Sequence, residues 1–320
     1  MNILVTGGAG FIGSHVCDAI LARGDTVICL DNFNNYYNPN FKKKNIAHNL
    51  TNPNFKLYCV DIKDKDTLKK VFVHEQVNKI VHLAAKAGVR YSIENPQEYQ
   101  EDNNKATMNL LELAVEFKIE NFVFASSSSV YGNTDKTPFS ETDNVDYPIS
   151  PYAATKKSCE LMIHAFSHLH HLNCTCLRFF TVYGPRGRPD MAPYKFTKLI
   201  IEGKSIIRYG DGSTARDYTY VSDIVKGIVS TLDKNFRFEI INLGNSSPVK
   251  LNDFIATIEK NVGKKVNIVQ QDIPQGDVNI TYANINKAKE LLGYSPEISL
   301  DEGMNKFIKW YTHQHSLNGN

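Results

Sequence analysis

Short apolar segments alternate with longer segments of helical periodicity over the first 180 residues. In the helical segments apolar residues recur every three or four positions, as at Val16, Ala19 and Ile20. Pro151 opens the last of these segments, at the first-turn position that proline favours. The apolar segments have the length of buried strands and cover residues 3–5, 26–30, 55–60, 79–85, 121–125 and 175–180. This alternation predicts an α/β fold with a doubly wound parallel sheet.

A glycine-rich turn stands between the first predicted strand and the first predicted helix. Gly7, Gly10 and Gly13 give the spacing G-x-x-G-x-x-G. Glycines here let backbone N–H groups and the positive end of the helix approach a pyrophosphate, although an ordinary strand–helix turn also uses glycine. Asp31 ends the second predicted strand, where an acid binds ribose hydroxyls and repels a 2′-phosphate. The sequence therefore predicts a dinucleotide site that favours NAD over NADP.

The alternating pattern breaks after Gly184. We expect residues 1–180 to form the NAD-binding Rossmann domain, with 216–243 returning to it. Residues 181–215 and 244–320 are expected to form a smaller α/β domain that covers the carboxyl ends of the strands, where ligands bind in such folds. Further strands are predicted at 216–221 and 238–243, and further helices at 194–202, 222–232, 251–262, 286–292 and 300–311.

Composition narrows the classes of partner. The 320 residues carry a net charge of +2, which does not indicate a nucleic-acid groove. No apolar segment approaches the roughly 20 residues of a membrane span, and no signal peptide precedes the first strand. The six cysteines lack metal-ligand spacing, and buried free thiols suit a reducing cytoplasm. We expect a cytoplasmic protein with a small-molecule substrate, no resident metal, and no nucleic-acid or membrane partner.

Histidines cluster near the end of the helix predicted over 151–171. His164, His168, His170 and His171 lie on it or just after it, but no cysteine or acid completes a metal-ligand set. We expect them to be surface or interface residues. His82 lies in the fourth apolar segment and is expected to be a packed histidine rather than a catalyst.

Tyr152 and Lys156 are four residues apart in a predicted helix, so their side chains share one face. An ammonium beside a phenol lowers the pKa of the phenol, which lets the tyrosine accept a proton from a sugar hydroxyl near neutral pH. A run of four serines, 126–129, follows the fifth apolar segment, and a serine hydroxyl there would share the hydrogen bonds of the substrate oxygen. The Y-x-x-x-K spacing is weak evidence alone and gains force from the glycine turn.

These motifs together resemble the extended short-chain dehydrogenase/reductase family over essentially the whole chain. The resemblance rests on GGAGFIG at 7–13, HLAA at 82–85, SSSSVYG at 126–132, Tyr152 with Lys156, and RDY at 216–218. Within the family it is strongest with the NAD-dependent nucleotide-sugar 4-epimerases. Three further segments, 87–92, 177–192 and 274–278, resemble the UDP-glucuronate 4-epimerases.

The resemblance implies roles for individual residues. Ser127, Tyr152 and Lys156 would be the catalytic residues. Asp61 would meet the adenine amino group, although its position equally fits a cap of a helix starting near Lys63. The residues expected to line the cofactor are Gly7, Gly10, Phe11, Ile12, Gly13, Asp31, Asn32, Asp61, Ile62, Leu83, Ala84, Ala85, Lys86, Asn103, Tyr152 and Lys156. Those expected to bind the UDP-sugar are Arg90, Ser128, Ser129, Thr181, Arg188, Arg216 and Asp277, with Arg188 and Arg216 facing the diphosphate.

Three positions bear on which UDP-sugar is the substrate. Dehydratases and decarboxylases of the family carry an acid just before V-Y-G, where this chain has Ser128 and Ser129. Thr181 stands where UDP-glucose epimerases usually carry asparagine. The resemblance thus implies C4 epimerisation through a 4-keto sugar, converting UDP-glucuronate to UDP-galacturonate, with a role in polysaccharide biosynthesis. Epimerisation of UDP-glucose or UDP-N-acetylglucosamine is the alternative, and a catalytically idle NAD-binding protein is a third interpretation.

Two long helical segments resemble the pair that forms a four-helix dimer interface in this family. They cover residues 96–118 and 151–171 and carry apolar residues beyond one stripe, among them Leu161, Met162 and Phe166. The resemblance therefore implies a homodimer.

Overall fold

The computed structural model describes residues 1–134, 136–273 and 278–316. Its strands are β1 (Asn2–Thr6), β2 (Thr26–Leu30), β3 (Phe55–Tyr58), β4 (Lys79–His82), β5 (Asn121–Ser127), β6 (Cys174–Phe179), β7 (Thr181–Tyr183), β8 (Ile206–Tyr209), β9 (Ala215–Tyr220), β10 (Phe238–Leu243), β11 (Pro248–Lys250), β12 (Ile268–Gln271) and β13 (Ile280–Thr281). Its α-helices are α1 (Phe11–Ala22), α2 (Pro39–Ile46), α3 (Lys65–Glu75), α4 (Val89–Glu94), α5 (Pro96–Tyr99), α6 (Ala106–Glu116), α7 (Pro151–His170), α8 (Ala192–Ile201), α9 (Val221–Leu232), α10 (Leu251–Val262), α11 (Asn286–Leu292) and α12 (Leu300–Ser316).

A central sheet runs through the first part of the chain. In the described residues seven parallel strands pair in the order β10-β6-β5-β4-β1-β2-β3. The chain starts in the middle with β1, builds outward to β3, and then returns to place β4 on the other side of β1. Loops after β1 and β4 therefore diverge and leave a crevice at the carboxyl ends of the strands. The predicted doubly wound α/β fold is confirmed.

The strands are apolar because both faces of the central sheet are covered. Successive side chains point to opposite faces. Leu4 and Ile80 belong to the hydrophobic core on one face, with residues of α3, α6 and α7. Val5 and Val81 belong to the core on the other face, which includes residues of α1 and α9. The inner strands β4, β5 and β6 are thus buried on both sides, which explains their continuous apolar sequence, whereas the edge strand β3 exposes Lys56 and Leu57.

Smaller sheets lie beyond the carboxyl end of β6. Among the described residues β9 pairs with β7, β11 and β13, and β8 pairs with β12. Of the segment 216–243, β10 joins the central sheet beside β6, whereas β9 belongs to the smaller sheet. The division of the chain into two domains stays a prediction.

The long helix predicted over 96–118 is interrupted. Between α5 and α6 the segment Gln100–Lys105 is a π-helical turn. The Asn103 carbonyl inside it accepts hydrogen bonds from Thr107 Oγ1 at 2.6 Å and from Cys159 Sγ at 3.6 Å. Such wider turns are frequent at functional sites because they re-aim the side chains that they carry.

α2 has no counterpart in the sequence-based expectation. Residues 32–39 are predicted as a loop, and α2 begins at the end of that segment, with Pro39 in its first turn. The Asn38 side chain caps it by accepting a hydrogen bond from the Asn40 backbone N–H at 3.0 Å. Because its composition is mostly polar, apolar periodicity does not reveal this helix.

Three further properties concern cysteines, metals and membranes. All six cysteines are free thiols, and only Cys59 is exposed. Within the described ranges no group of three or more histidine, cysteine or acidic side chains is placed to hold a metal ion. None of the described helices is both long and apolar enough to cross a membrane.

His82 is packed in the core, as predicted. Its Nδ1 lies 2.7 Å from Thr6 Oγ1, and its Nε2 lies 3.0 Å from Thr107 Oγ1. The Thr107 hydroxyl donates its own proton to the Asn103 carbonyl, so it accepts from His82 Nε2–H. Burial lowers the pKa of the ring to about 3, so His82 is neutral near pH 7. The histidine joins β1, β4 and the π-helical turn in one hydrogen-bonded chain.

We predict that His82→Asn flattens the acid dependence of stability. Unfolded histidine takes up a proton below about pH 6.5, whereas folded His82 does so only near pH 3, so folding loses free energy as the pH falls between these values. The wild-type protein should lose about 2 kcal/mol more than the variant between pH 7 and pH 5. Urea unfolding at both pH values measures this difference, and equal losses would contradict it.

Candidate active site

A long cleft of about 440 Å³ opens where the carboxyl ends of the central strands meet. Every residue predicted to line the cofactor lies on it except Asn103. So do four predicted substrate residues and the predicted catalytic serine; these five are Ser127, Ser128, Ser129, Thr181 and Arg188. The structure thus brings together residues from the ends of β1 to β5, from α7, and from β7 and the segment that follows it.

The glycine turn is shaped to hold a pyrophosphate. Gly7 adopts φ +67°, and the Gly10 N–H donates to the Gly7 carbonyl at 3.0 Å, which folds the turn tightly. A Cβ on Gly13 would stand 2.1 Å from the Gly7 carbonyl oxygen, so no side chain fits there. The turn leads into α1, whose N-cap carries no side-chain hydrogen bond. The first N–H groups of α1 are therefore presented to the cleft with the positive helix end behind them, and the residues present fit a dinucleotide.

Asp31 lies at the adenosine end of this cleft with a partner that the sequence does not reveal. Lys42 Nζ donates to Asp31 Oδ1 at 3.1 Å, and both side chains are buried. The same oxygen accepts a hydrogen bond from the Phe33 N–H at 2.9 Å. The two contacts orient the carboxylate, and Lys42 balances its charge. Lys42 lies on α2. Because the apolar pattern does not predict α2, it does not predict this residue either.

Asp61 is a cleft residue and not a helix cap. α3 is capped by Asp64, whose carboxylate accepts the Thr67 N–H at 3.1 Å, so the capping alternative is wrong. Asp61 instead accepts hydrogen bonds from the Lys63 N–H at 2.9 Å and from the Asn32 amide at 3.1 Å.

Asn103 acts behind the cleft and does not line it. Its amide oxygen accepts the Lys86 N–H at 2.8 Å, and its amide nitrogen donates to the Lys86 carbonyl at 3.1 Å and to Thr155 Oγ1 at 3.0 Å. It therefore fixes the backbone that follows β4 and links it to α7. The π-helical turn is what aims this side chain at Lys86.

Tyr152 and Ser127 face each other across the middle of the cleft. Burial raises the pKa of the Tyr152 phenol, while a hydrogen bond with the Ser127 side chain and the positive charge of Arg188 lower it. That Lys156 lowers the pKa of this phenol stays a prediction. Lys156 Nζ donates to the Ala125 carbonyl at 2.8 Å and lies 4.7 Å above the Phe124 ring, and burial lowers its pKa to about 8. The lysine is thus bonded to β5, and the positive charge of Arg188 acts on the phenol.

Arg188 stands beside Tyr152 at the sugar end of the cleft. Its Nε and Nη2 donate to the Asp190 carboxylate at 3.0 and 2.5 Å. Its guanidinium also lies 5.4 Å from the centre of the Tyr36 ring. Tyr36 in turn donates to the Ala87 carbonyl at 2.7 Å. Sequence reasoning did not single out Tyr36, which lies in the tyrosine-rich segment 32–39 and lines the cleft.

A smaller cavity of about 180 Å³ continues the cleft. Ser128, Ser129 and Thr181 line both, while Arg90 and Arg216 line the smaller cavity alone. The Arg90 guanidinium lies 4.5 Å above the ring of Tyr209. Two cations thus converge next to three hydroxyl groups. Asp277, the remaining predicted substrate residue, lies outside the described residues.

A buried ion pair holds the catalytic helix. Arg178 on β6 donates two hydrogen bonds of 2.8 Å to Glu160 on α7, and Ser126 Oγ at the end of β5 donates to the same carboxylate at 2.6 Å. Glu160 and Arg178 are each 1% exposed. Glu160 lies one turn after Lys156, so this network fixes α7 against the strand ends that carry the serines.

We predict that Glu160→Gln destabilises the fold by about 3 kcal/mol or more, because it leaves the Arg178 charge buried without a counter-charge. Glu116→Gln is the matched control, since Glu116 pairs with Lys69 at 2.5 Å on the surface, with both side chains more than 40% exposed. Removing that pair should cost less than about 1 kcal/mol. Urea unfolding of both variants gives the comparison, and similar losses would refute the role assigned to the buried pair.

Comparisons with known proteins agree with this geometry. The family model of GDP-mannose 4,6 dehydratase matches residues 4–307. A UDP-glucuronate 4-epimerase of Thermodesulfobacterium geofontis is 44% identical over 308 residues, which are 96% of this chain and 95% of that protein. A crystal structure of UDP-glucuronic acid 4-epimerase from Bacillus cereus, in complex with UDP-glucuronic acid and NAD, superposes with a TM-score of 0.94 at 37% identity and covers 98% of this chain and 100% of that one. A UDP-glucose 4-epimerase of Thermotoga maritima with UDP-glucose gives 0.91 at 32% identity, with coverage of 98% and 100%.

The fold and the Ser-Tyr-Lys cleft define an extended short-chain dehydrogenase/reductase, as the motifs predict. Within this class the chain belongs to the family that the GDP-mannose 4,6 dehydratase model describes, together with UDP-glucuronate 4-epimerases.

Proposed function

We propose that the protein is an NAD-dependent UDP-sugar 4-epimerase whose main reaction interconverts UDP-glucuronate and UDP-galacturonate. The observation that carries the proposal is the convergence of Ser127, Tyr152 and Arg188 in the cleft that Ser128, Ser129 and Thr181 line with hydroxyl groups. The glycine turn and Asp31 supply the cofactor end of the same cleft.

Tyr152 is the proposed acid/base. Its phenolate accepts the proton of the sugar C4 hydroxyl, and the phenol so formed later returns it to the same oxygen, while the Ser127 hydroxyl shares the hydrogen bonds of that oxygen. Bound NAD supplies the acceptor and the donor for the C4 hydride. The pKa of the phenol is raised by burial, so proton transfer depends on cationic groups nearby, of which Arg188 is one. Lys156 holds the carbonyl end of β5, and so keeps the serines aligned with the phenol.

The hydroxyl-lined end of the cleft suits a carboxylate. Ser128, Ser129 and Thr181 can each donate to it, and the Arg188 guanidinium provides positive charge. The 4-keto form of a glucuronate is a β-keto acid, and it loses carbon dioxide only when the bond to the carboxylate aligns with the carbonyl π system. Several fixed donors hold the carboxylate out of that alignment. No acid stands at 128 or 129 to promote elimination instead.

Arg90 and Arg216 are the proposed diphosphate ligands. They line the cavity that continues the cleft beyond the sugar end, where a UDP group would extend. Asp277 is proposed to contribute to the same UDP-sugar. Epimerisation of UDP-glucose is the second candidate, because the Thermotoga maritima relative is a UDP-glucose 4-epimerase of the same fold.

We also propose a cytoplasmic homodimer that acts in polysaccharide biosynthesis. Leu161 and Leu169 on α7 are 58% and 68% exposed, which supports a partner surface on this helix. The six free thiols support a reducing compartment.

Tyr152→Phe should lower turnover by roughly 100-fold or more, because it removes the proposed base and leaves the ring in place. UDP binding should change by less than about twofold, since the proposed diphosphate ligands lie elsewhere. Tyr147→Phe is the control; Tyr147 is 81% exposed and lies outside the cleft. Turnover and calorimetric UDP binding give the two readouts, and a Tyr152→Phe enzyme that keeps a tenth of the activity would exclude the assignment.

A panel of UDP-sugars tests the substrate. We expect UDP-glucuronate to be converted at least tenfold faster than UDP-glucose or UDP-N-acetylglucosamine, with UDP-galacturonate as the product, because a carboxylate adds charge-assisted contacts worth about 1.5 kcal/mol. If the 4-keto acid lost carbon dioxide, NMR of the products would show a UDP-pentose. Preference for UDP-glucose would reject the substrate and keep the epimerase. UDP-pentose as the main product would reject both, and no turnover of any sugar would support the catalytically idle alternative.

A further inference from the structure

The Tyr36 side chain joins two walls of the catalytic cleft. Tyr36 lies in the segment between β2 and α2, and its hydroxyl donates at 2.7 Å to the Ala87 carbonyl, in the segment between β4 and α4. Both residues line the cleft. The proposed reaction gives Tyr36 no role, although its side chain stands inside the site.

The order of the strands shows what this hydrogen bond spans. β1 lies between β2 and β4 in the central sheet, and the glycine turn follows β1 directly. The segments after β2 and after β4 therefore stand on either side of the glycine turn, at the same edge of the sheet. A hydrogen bond between these two segments has to pass across that turn. Since Gly10 and Tyr36 line one cleft, the space between them is the channel in which a pyrophosphate would lie.

The backbone on the Ala87 side is shaped to receive the Tyr36 hydroxyl. Gly88 adopts φ +119°, and a Cβ there would stand 2.8 Å from the Tyr36 hydroxyl oxygen, so a side chain at 88 would push the tyrosine away. Tyr99 is fully buried, and its hydroxyl donates to the Gly88 carbonyl at 2.8 Å. The acceptor side of the contact is thus fixed in place.

A third segment reaches the same point. Arg188, in the segment between β7 and α8, lies with its guanidinium 5.4 Å from the centre of the Tyr36 ring. Its Nη2 also approaches the Ala87 carbonyl to 3.5 Å. The Tyr91 ring packs edge-on against the Tyr36 ring, with the centroids 5.4 Å apart. We call the contact of Tyr36 with Ala87 and Arg188 the cleft closure.

The donor side of the cleft closure is the side that can open. Asn32, Asn34 and Asn35, which precede Tyr36, are exposed, so few buried contacts hold this part of the segment down. The Tyr36 N–H itself is bonded only locally, to the Asn34 side chain at 3.3 Å. A polar segment of this kind can swing away from the fixed Ala87 carbonyl at a small cost in free energy.

We propose that Tyr36 closes the cleft over the pyrophosphate of NAD, so that the cofactor enters and leaves only when the hydrogen bond to Ala87 opens. The closure rests on the cofactor site of the proposed function and is independent of which sugar is the substrate. Epimerisation takes one hydride from the sugar and returns it, so the cofactor has to stay through both transfers. A closure made by the protein retains the cofactor without requiring stronger contacts to it.

The rates of cofactor exchange test this closure. Tyr36→Phe removes the hydroxyl and keeps the ring. Full-length protein loaded with NADH is mixed with a large excess of NAD, and the change in NADH fluorescence gives the release rate. A fluorescence titration of the full-length protein, stripped of cofactor, with NADH gives the dissociation constant. We expect release about tenfold faster, the factor that one lost hydrogen bond of about 1.4 kcal/mol gives. The dissociation constant should change by less than about threefold, because an easier opening speeds entry and exit alike.

Tyr294→Phe is the matched control. The Tyr294 hydroxyl also donates to a backbone carbonyl, that of Gly244 at 3.0 Å, but Tyr294 does not line the cleft. Release of NADH from this variant should stay within about twofold of the wild-type rate.

The outcomes separate the closure from the proposed function. Release at the wild-type rate in Tyr36→Phe would overturn the closure. Faster release matched by an equally weaker affinity would also overturn it, because it would mark Tyr36 as a direct ligand of NAD. A wild-type protein that binds no NADH would reject the cofactor site and the closure together. The expected rates in a protein that epimerises no sugar would support the closure and reject the proposed function.

Discussion

The ion pair between Glu160 and Arg178 is the interaction on which the active-site geometry depends. It joins the middle of α7 to β6, and through Ser126 to the end of β5, with no access to water. Tyr152 and Lys156 lie on the same helix, two turns and one turn before Glu160. The ion pair between Glu160 and Arg178 therefore sets their distance from the serine run. A hydrophobic contact could hold the helix equally tightly, but it would tolerate sliding that a bidentate pair does not.

Electrostatics in the cleft follow from this geometry. The position of α7 buries the Tyr152 phenol. Burial raises the pKa of the phenol and so disfavours the phenolate that a base requires. Lys156 donates a hydrogen bond to the Ala125 carbonyl and so holds the end of β5. Arg188 therefore supplies the charge that favours phenolate in this structure, and Asp190 partly cancels it through two hydrogen bonds. The proposed base thus depends on a cation from a different part of the chain, the segment that follows β7.

Local sequence was enough to place the glycine turn, Asp31, Ser127 and Tyr152 on elements that meet at the cleft, because the apolar pattern of those elements is strong. The roles of Ser127 and Tyr152 rest on the family resemblance and stay proposals. The remaining groups depend on tertiary packing. Lys42 reaches Asp31 only because a polar helix folds back over the cleft, and no periodicity marks that helix. Asn103 was expected to touch the cofactor, but the π-helical turn directs its amide to the backbone of Lys86, and a regular helix is all that the sequence pattern predicts.

Arg186 and Arg188 lie on one turn, and their side chains reach different parts of the molecule. Gly187 separates the two arginines, and a Cβ there would stand 2.9 Å from the Gly184 carbonyl oxygen, so the turn closes tightly. Arg186 adopts φ +64°, a left-handed conformation that costs a non-glycine residue free energy. Its 2.7 Å hydrogen bond to Asp18 holds the Arg186 side chain against α1. Arg188, two residues later, lines the cleft instead, where its positive charge acts on the Tyr152 phenol. Two arginines of one tight turn therefore differ in what they do: the first ties the turn to α1, and the second gives the cleft a cation.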